Sequence, residues 1–550
     1  MTQPTEPIHW APHERPSMPG SPSTPLHSVP TRWAFAAVAV LLGLTGGLGS
    51  ALLSANLANI QGHLGLTPSQ GAWLSAAYLM VNLSANLVLI KFRQQYGLRR
   101  FAEIGLGLYA LVTILHVLVE DYPMALALRG ASGLAGATVS TLATMYMLQA
   151  FPKAQVGRAL VIGMGISQLA TPLAWLMSPT LLDLGEWHRL YVFEGGLALC
   201  SLASVVLLRL PPGDQIKAFA RMDFLTIALF APAIALITSA WSQGRLQWWT
   251  EQAWIGLAFA LGLVLLLMAV LIEHHRANPL LQTRWLIKAQ TLRFALGALT
   301  LRFLLSEQTY GAVGLLQQLG MGPDQLKPLY AVLLVSLIAG IGISAWTFNS
   351  RTLVAQILLS AALIGIGSWM DLDATSLTRP HDMFVSQGLV AFASGMFMGP
   401  LMMIGAQEAL KNGPSYIISF SVLFAMTQSL GGLAGPAVLG TFETIQEKRD
   451  SAYLTEQMTP TRPEVSKRLE MNAQAYASRQ TDPALRQALG ASQLSQLVTR
   501  ESHVLAYNDV FKLTAGLSFV FLAWSLFHVL RIRHNATREA RISKKRTATL

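Results

Sequence analysis

Apolar stretches long enough to cross a bilayer recur fourteen times along this 550-residue chain, and short polar segments separate nearly all of them. A helix rises about 1.5 Å per residue, so roughly 20 apolar residues cross a 30 Å hydrocarbon core. The predicted spans are residues 33–57, 71–90, 101–119, 123–150, 159–180, 190–209, 223–242, 252–272, 291–311, 328–348, 353–371, 383–407, 415–441 and 507–530. With no water at that depth, each span must satisfy its own backbone and is expected to be helical. The pattern predicts an all-α polytopic membrane protein.

Composition agrees: 52% apolar and 12% charged residues exceed what one soluble core can hide. The Lys and Arg distribution then predicts orientation, because cytoplasmic loops hold excess positive charge. With the N-terminus inside, cytoplasmic segments carry 23 of the 39 basic residues, and six short outer loops carry four. The long segment 442–506 has eight basic and eight acidic residues, and long loops escape the rule. Both termini are therefore expected in the cytoplasm.

A pI near 9.8 raises nucleic-acid binding as a possibility, with the tail residues Arg531, Arg533, Arg538, Arg541, Lys544, Lys545 and Arg546 as the patch. Their place beside the last span favours anionic lipid instead, attracted at about 1 kcal/mol per basic residue. The single cysteine, Cys200, leaves no intramolecular disulfide or cysteine metal site. His116 stands alone in its span, which argues against a metal site. There is no GxxxxGK[ST] loop, hydrolase elbow or metal cluster, so neither enzyme nor cofactor is expected.

Residues 1–32 hold eight prolines and no apolar run, and are expected to form a disordered cytoplasmic tail. The first apolar run is too long for a cleaved signal and leads into further spans. Within 442–506, Pro463 and Asp482-Pro483 are helix-start signals followed by spaced apolar residues, so a small outer helical hairpin is expected there. Residues 531–550 form the basic cytoplasmic tail.

The ends of the spans carry a resemblance. Asn56-Leu57-Ala58-Asn59-Ile60, Leu64-Gly65-Leu66, Trp73 and Tyr78 are followed in order by Tyr96-Gly97-Leu98-Arg99-Arg100, Arg129-Gly130-Ala131-Ser132-Gly133 and Trp187-His188-Arg189-Leu190-Tyr191. Then come Gln243-Gly244 with Trp248-Trp249, Glu273 with Asn278-Pro279-Leu280, and Ala506-Tyr507-Asn508-Asp509-Val510-Phe511. Together they resemble the 14-helix drug:proton antiporter branch of the major facilitator superfamily over about residues 30–530. Within that branch the long segment before the last helix resembles that of Gram-negative inner-membrane exporters, which often work with a periplasmic adaptor and an outer-membrane channel.

The resemblance implies the major facilitator fold. A six-helix bundle would occupy 33–209, two inserted transmembrane helices 210–290, and a second bundle 291–530. An internal echo agrees: 166–172, ending in Pro172, parallels 430–436, which holds Gly431, Gly435 and Pro436. Repeated halves around a midplane site suit alternating access. Close helix approach at glycines and bending at these prolines assign Gly431, Gly435, Pro172 and Pro436 to conformational change or to static packing. Gly97, Arg99 and Arg100, in the loop motif, join that conformational set.

A charged side chain in hydrocarbon costs at least about 2.5–3.5 kcal/mol on insertion scales, so charges at depth are expected to face a wet path. Arg129 matches the family arginine linked to proton coupling or substrate contact. Arg302 and Glu307 share one span and, five residues apart, point away from each other. Glu194 stands where the family has a polar amide; it suits a proton carrier or, alternatively, a partner for a basic group. Asn56, Asn82, Asn86, Gln168, Trp175, Gln308 and Gln317 either line the substrate cavity or join helices.

Several positions depart from the family pattern: Ala51 replaces an Asp, Gln94 another Asp, Thr171 a Gly, and Trp175 and Leu176 replace glycines. If protons drive transport, Glu194 or Glu307 must do the work of the missing first-helix Asp. The expected function is export of amphipathic compounds across a bacterial inner membrane in exchange for protons. The alternatives are proton-linked export of one endogenous metabolite, such as a siderophore, and a sensor or scaffold that has lost transport. The expected partners are small molecules, protons, membrane lipid and an envelope adaptor and channel, without nucleic acid.

Overall fold

A computed structural model describes Glu14, Pro16 and residues 20–181, 187–413 and 415–548. Helices occupy all fourteen predicted positions, and there is no strand among the described residues. We number them α1 (Val29–Ala55), α2 (Pro68–Tyr96), α3 (Leu98–Leu115), α4 (Tyr122–Ala150), α5 (Lys153–Leu181), α6 (His188–Leu207) and α7 (Arg221–Gly244). They continue as α8 (Ala253–His275), α9 (Ala289–Leu304, Glu307–Ala312 and Val313–Gln318), α10 (Pro323–Trp346), α11 (Leu353–Met370), α12 (Phe384–Asn412), α13 (Tyr416–Gln457) and α14 (Pro483–Ala548).

Twelve of these are long and apolar enough to cross a membrane; α4 and α9 are not. α4 is rich in Gly, Ala, Ser and Thr because it packs against α1, α2 and α3, where close approach matters more than lipid contact. α9 is broken by a wide helical turn over Glu307–Ala312. The chain is a multi-pass membrane protein, and its lipid-facing helix α8 exposes Leu257, Leu261, Val264, Leu267 and Leu271.

Local chemistry sets the boundaries. Thr67 and Gln70 form a reciprocal cap at the start of α2, with Gln70 Oε1 accepting from the Thr67 amide at 2.9 Å. Asp121 caps α4 by accepting from the Met124 amide at 2.9 Å. α5 is interrupted at Leu169, three residues before Pro172, whose ring removes a backbone donor.

In the first half, α1 packs on α4, α5 and α6, and α4 also contacts α2 and α3. In the second, α12 packs on α10 and α11, while α13 contacts α9 and α14. The halves meet where α5 lies along α10 and α12. The pair α7 and α8 packs mainly on α2 and touches α13 through α7.

Two segments differ from expectation. Residues 20–28 belong to the stretch expected to be disordered, yet they pack on the first bundle. The Gly20 amide donates to the Asp214 carbonyl and that of Ser23 to the Pro212 carbonyl, both at 3.1 Å, while Gln149 Nε2 donates to the Ser23 carbonyl at 2.9 Å. Backbone pairing thus orders a proline-rich segment that has no core of its own. α13 and α14 also extend far beyond their predicted spans, enclosing the short helix Pro463–Gln474, which packs on the start of α14. There Val465 and Val498 are buried, whereas Leu485, Leu489 and Leu497 are exposed. Beyond Arg531, the basic side chains proposed to meet lipid lie outside the described residues.

Candidate functional site: a cavity between the two bundles

A cavity of about 750 Å³ is lined by α1, α2, α4 and α5 of the first bundle and by α9, α10, α12 and α13 of the second. Asn82, Asn86, Gln168, Trp175, Gln308 and Gln317 line it, together with Pro172 and Arg302. Asn82 Nδ2 donates to the Gly133 carbonyl at 3.0 Å, and Gln308 Nε2 to the Gln387 carbonyl at 3.2 Å. Gln168 joins the halves: its Oε1 accepts from Ser394 Oγ at 2.9 Å. Trp175 stacks on Tyr330. Asn56 lies outside the lining and ties α1 to α5, donating to the Leu52 carbonyl and to Ser178 Oγ, each at 2.8 Å.

Other cavity residues were not singled out from the sequence, and four of them add chemistry that bears on a ligand. Ser50 and Ser54 add hydroxyls from α1, Phe424 adds an aromatic face, and Gln428 presents an amide whose nitrogen and oxygen are both buried without a partner. A polar group in mid-span was the available signal for Gln428.

Arg129, Glu194 and Glu307 do not line the cavity; each is buried within its own bundle. Arg129 donates from Nη1 to the Gly49 carbonyl at 2.9 Å and lies over the Tyr78 ring, 4.9 Å from its centre. Tyr78 lines the cavity, so Arg129 sits one ring behind its wall. Glu194 accepts from Tyr109 Oη at 2.8 Å, and that hydroxyl also reaches the Thr45 carbonyl at 3.1 Å. Gly49 passes closely by both groups: a Cβ there would run into Tyr109 Oη and lie 2.7 Å from Glu194 Oε1.

In the second bundle, Gln387 Nε2 donates to Glu307 Oε1 at 2.9 Å and to Asp371 Oδ2 at 2.8 Å. One amide thus bridges two buried carboxylates from different helices, and Glu307 Oε2 is left without a partner. Asp371, at the end of α11, was missed because a charge at a span boundary reads as a loop residue.

Among the residues expected to serve conformational change, Gly97 joins α2 to α3 with φ +83°, a conformation glycine adopts readily. Arg99 pairs with Glu103 at 2.8 Å on the surface, and Arg100 is exposed. Gly431 and Gly435 let α13 approach α9, and Pro436 follows inside α13.

The inserted pair is held by a polar network. Asp223 on α7 pairs with Lys91 of α2 and, at 2.9 Å, with Arg276 beyond α8; Glu273 accepts from Arg276, Thr226 and the Leu280 amide. Farther along α7, Gln243 accepts from Ser69 Oγ at 2.7 Å and donates to the Ser69 carbonyl at 3.1 Å. α7 is therefore fastened to α2 at two levels.

Known proteins resemble this chain in sequence or fold. The chain is 27% identical to the uncharacterized MFS-type transporter YfiU of Bacillus subtilis over 154 residues, 28% of this chain and 30% of that protein. It is 21% identical to the multidrug export protein EmrB of Escherichia coli K12 over 496 residues, covering 86% of this chain and 91% of that one. The crystal structure of the human organic anion transporter MFSD10 superposes with a TM-score of 0.55 at 14% identity, covering 88% of this chain and 99% of that one. The Major Facilitator Superfamily model matches residues 39–436, and with its helices and intervening cavity the chain belongs to that family of membrane transporters and is not an enzyme.

Proposed function

We propose that this protein exports amphipathic small molecules across a bacterial inner membrane in exchange for protons, with both termini in the cytoplasm. The observation that carries this reading is the cavity itself, where amides and hydroxyls alternate with Trp175, Tyr330, Phe424 and methionines on walls from both bundles. Such a lining accepts a molecule with an apolar body and a polar group, and movement of one bundle against the other exposes it to either side. The glycine contacts of α13 on α9 and the break in α5 are where this movement is accommodated. Similarity to EmrB supports export.

Glu307 is the proton carrier in this account: it is buried, has one free carboxylate oxygen, and neighbours the cavity residue Gln308. Glu194 and Arg129 hold the first bundle together around Gly49 and communicate with the cavity through Tyr78. The extensions of α13 and α14 and the short helix Pro463–Gln474 between them, with Leu485, Leu489 and Leu497 exposed beside it, are the surface for an envelope adaptor. Growth of a strain lacking its own exporters, with and without this protein, against a panel of amphipathic compounds tests the reading. Protection against several unrelated compounds is expected; protection against none, with accumulation of one cell metabolite on gene loss, would replace it with metabolite export.

A further inference from the structure

The cavity wall carries a single charged side chain, Arg302, and no acidic side chain among its described residues. No hydrogen bond or ion pair from this guanidinium to a protein group occurs among the described residues. Gly431 and Gly432 make room for it: a Cβ at Gly432 would lie 3.2 Å from Arg302 Nε and 3.3 Å from Nη2. One helical turn earlier on the same face of α13 is Gln428, whose amide has no partner at either end. Gln168 Nε2, also on the wall, is a third polar atom without one.

The nearby carboxylates lie behind the wall, within their own bundles. Glu307 and Asp371 each accept from Gln387 and Glu194 from Tyr109, and none of the three pairs with Arg302. Arg129 lies behind Tyr78 with Glu194 close by at Gly49, so Arg302 is the one cation left for a ligand on the wall. The cavity wall thus carries one guanidinium without an ion-pair partner and unused amide donors, with low-dielectric walls that focus the field. A lipophilic cation would meet repulsion there, whereas a carboxylate or sulfonate matches the planar donor fork of an arginine.

We propose that this cavity selects organic anions, with the carboxylate or sulfonate held by Arg302 and the Gln428 amide and the apolar body against Phe424 and the Trp175–Tyr330 stack. The proposal rests on the cavity being the substrate site and names the charge of what enters it.

The test is equilibrium binding to the purified full-length protein in lipid nanodiscs, with no pH gradient, using radiolabelled 2-naphthalenesulfonate and tetraphenylphosphonium. Saturable sulfonate binding, at least about tenfold tighter than that of the phosphonium, is expected. Arg302→Gln should weaken it about tenfold or more, as loss of a charge-assisted pair does. Gln428→Glu sets a carboxylate beside the guanidinium and should abolish sulfonate binding; it decides the matter if the Arg302 variant fails to fold. No saturable sulfonate binding, equal or tighter phosphonium binding, or unchanged sulfonate affinity in a folded variant overturns the proposal. Because no gradient is applied, sulfonate binding without proton-driven transport would sink the exporter reading alone, and proton-driven cation export would sink this one alone.

Discussion

Trp175 of α5 and Tyr330 of α10 stack with ring centres 4.9 Å apart and planes 6° from parallel, and they belong to opposite bundles. An aromatic pair of this kind contributes about 0.5–1.5 kcal/mol beyond its buried area, enough to favour one arrangement of the halves and small enough to break in each cycle. With Cys200 replaced by Ser, cysteines at positions 175 and 330 should be joined through two disulfides by a short bis-methanethiosulfonate, and transport should stop until reduction. Full transport by the joined protein would show that this contact persists through the cycle.

Gly49 sits where no side chain fits beside Tyr109 and Glu194. Gly49→Ala should lower stability by about 1–3 kcal/mol, the usual cost of overpacking a filled interior. Thermal unfolding in detergent checks this; an unchanged midpoint would show that α1 shifts without cost.

Asp223 neutralises Lys91 and Arg276, with both cations only 12% exposed at the side chain. Removing one member of a buried ionic group costs about 3–5 kcal/mol, because the remaining charges stay behind. Asp223→Asn should therefore reduce thermal stability strongly and make the α7–α8 segment susceptible to proteolysis, while Arg99→Gln, at an exposed pair, should change neither.

The extensions of α13 and α14 are tied together by Glu443 with His503 at 2.7 Å and by Arg449 with Asp509 at 3.2 Å. Removing the tip, residues 459–482, leaves those ties in place. Transport across the inner membrane should survive and export across the whole envelope should fall; equal loss in both assays would refute a docking role.

How much of this was legible in the sequence follows from what each signal measures. Long apolar runs mark helices whatever they pack against, and even α4 and α9 were found by length despite their smaller or charged residues. Amides in mid-span were legible too: Asn82, Asn86, Gln168, Gln308 and Gln317 reach the cavity because desolvating them elsewhere is costly. The same logic did not place Arg129, Glu194 and Glu307, which lie behind the cavity wall with partners inside a bundle. Those partners, the Gly49 carbonyl, Tyr109 and Gln387, are separated by 80, 85 and 80 residues from the groups they satisfy. No local pattern reports such pairing. Lys91 and Arg276 likewise read as loop charges and Asp223 as the edge of a span, because spacing along the chain does not show that α7 lies against α2.

Everted membrane vesicles under an imposed pH gradient, supplied with anionic and cationic amphipathic fluorophores, test the central claim most directly. Accumulation of at least one fluorophore is predicted, lost when the gradient is collapsed and lost again in Glu307→Gln at normal protein level. Accumulation of none, or accumulation that proceeds equally without the gradient or without the Glu307 carboxylate, would contradict the account.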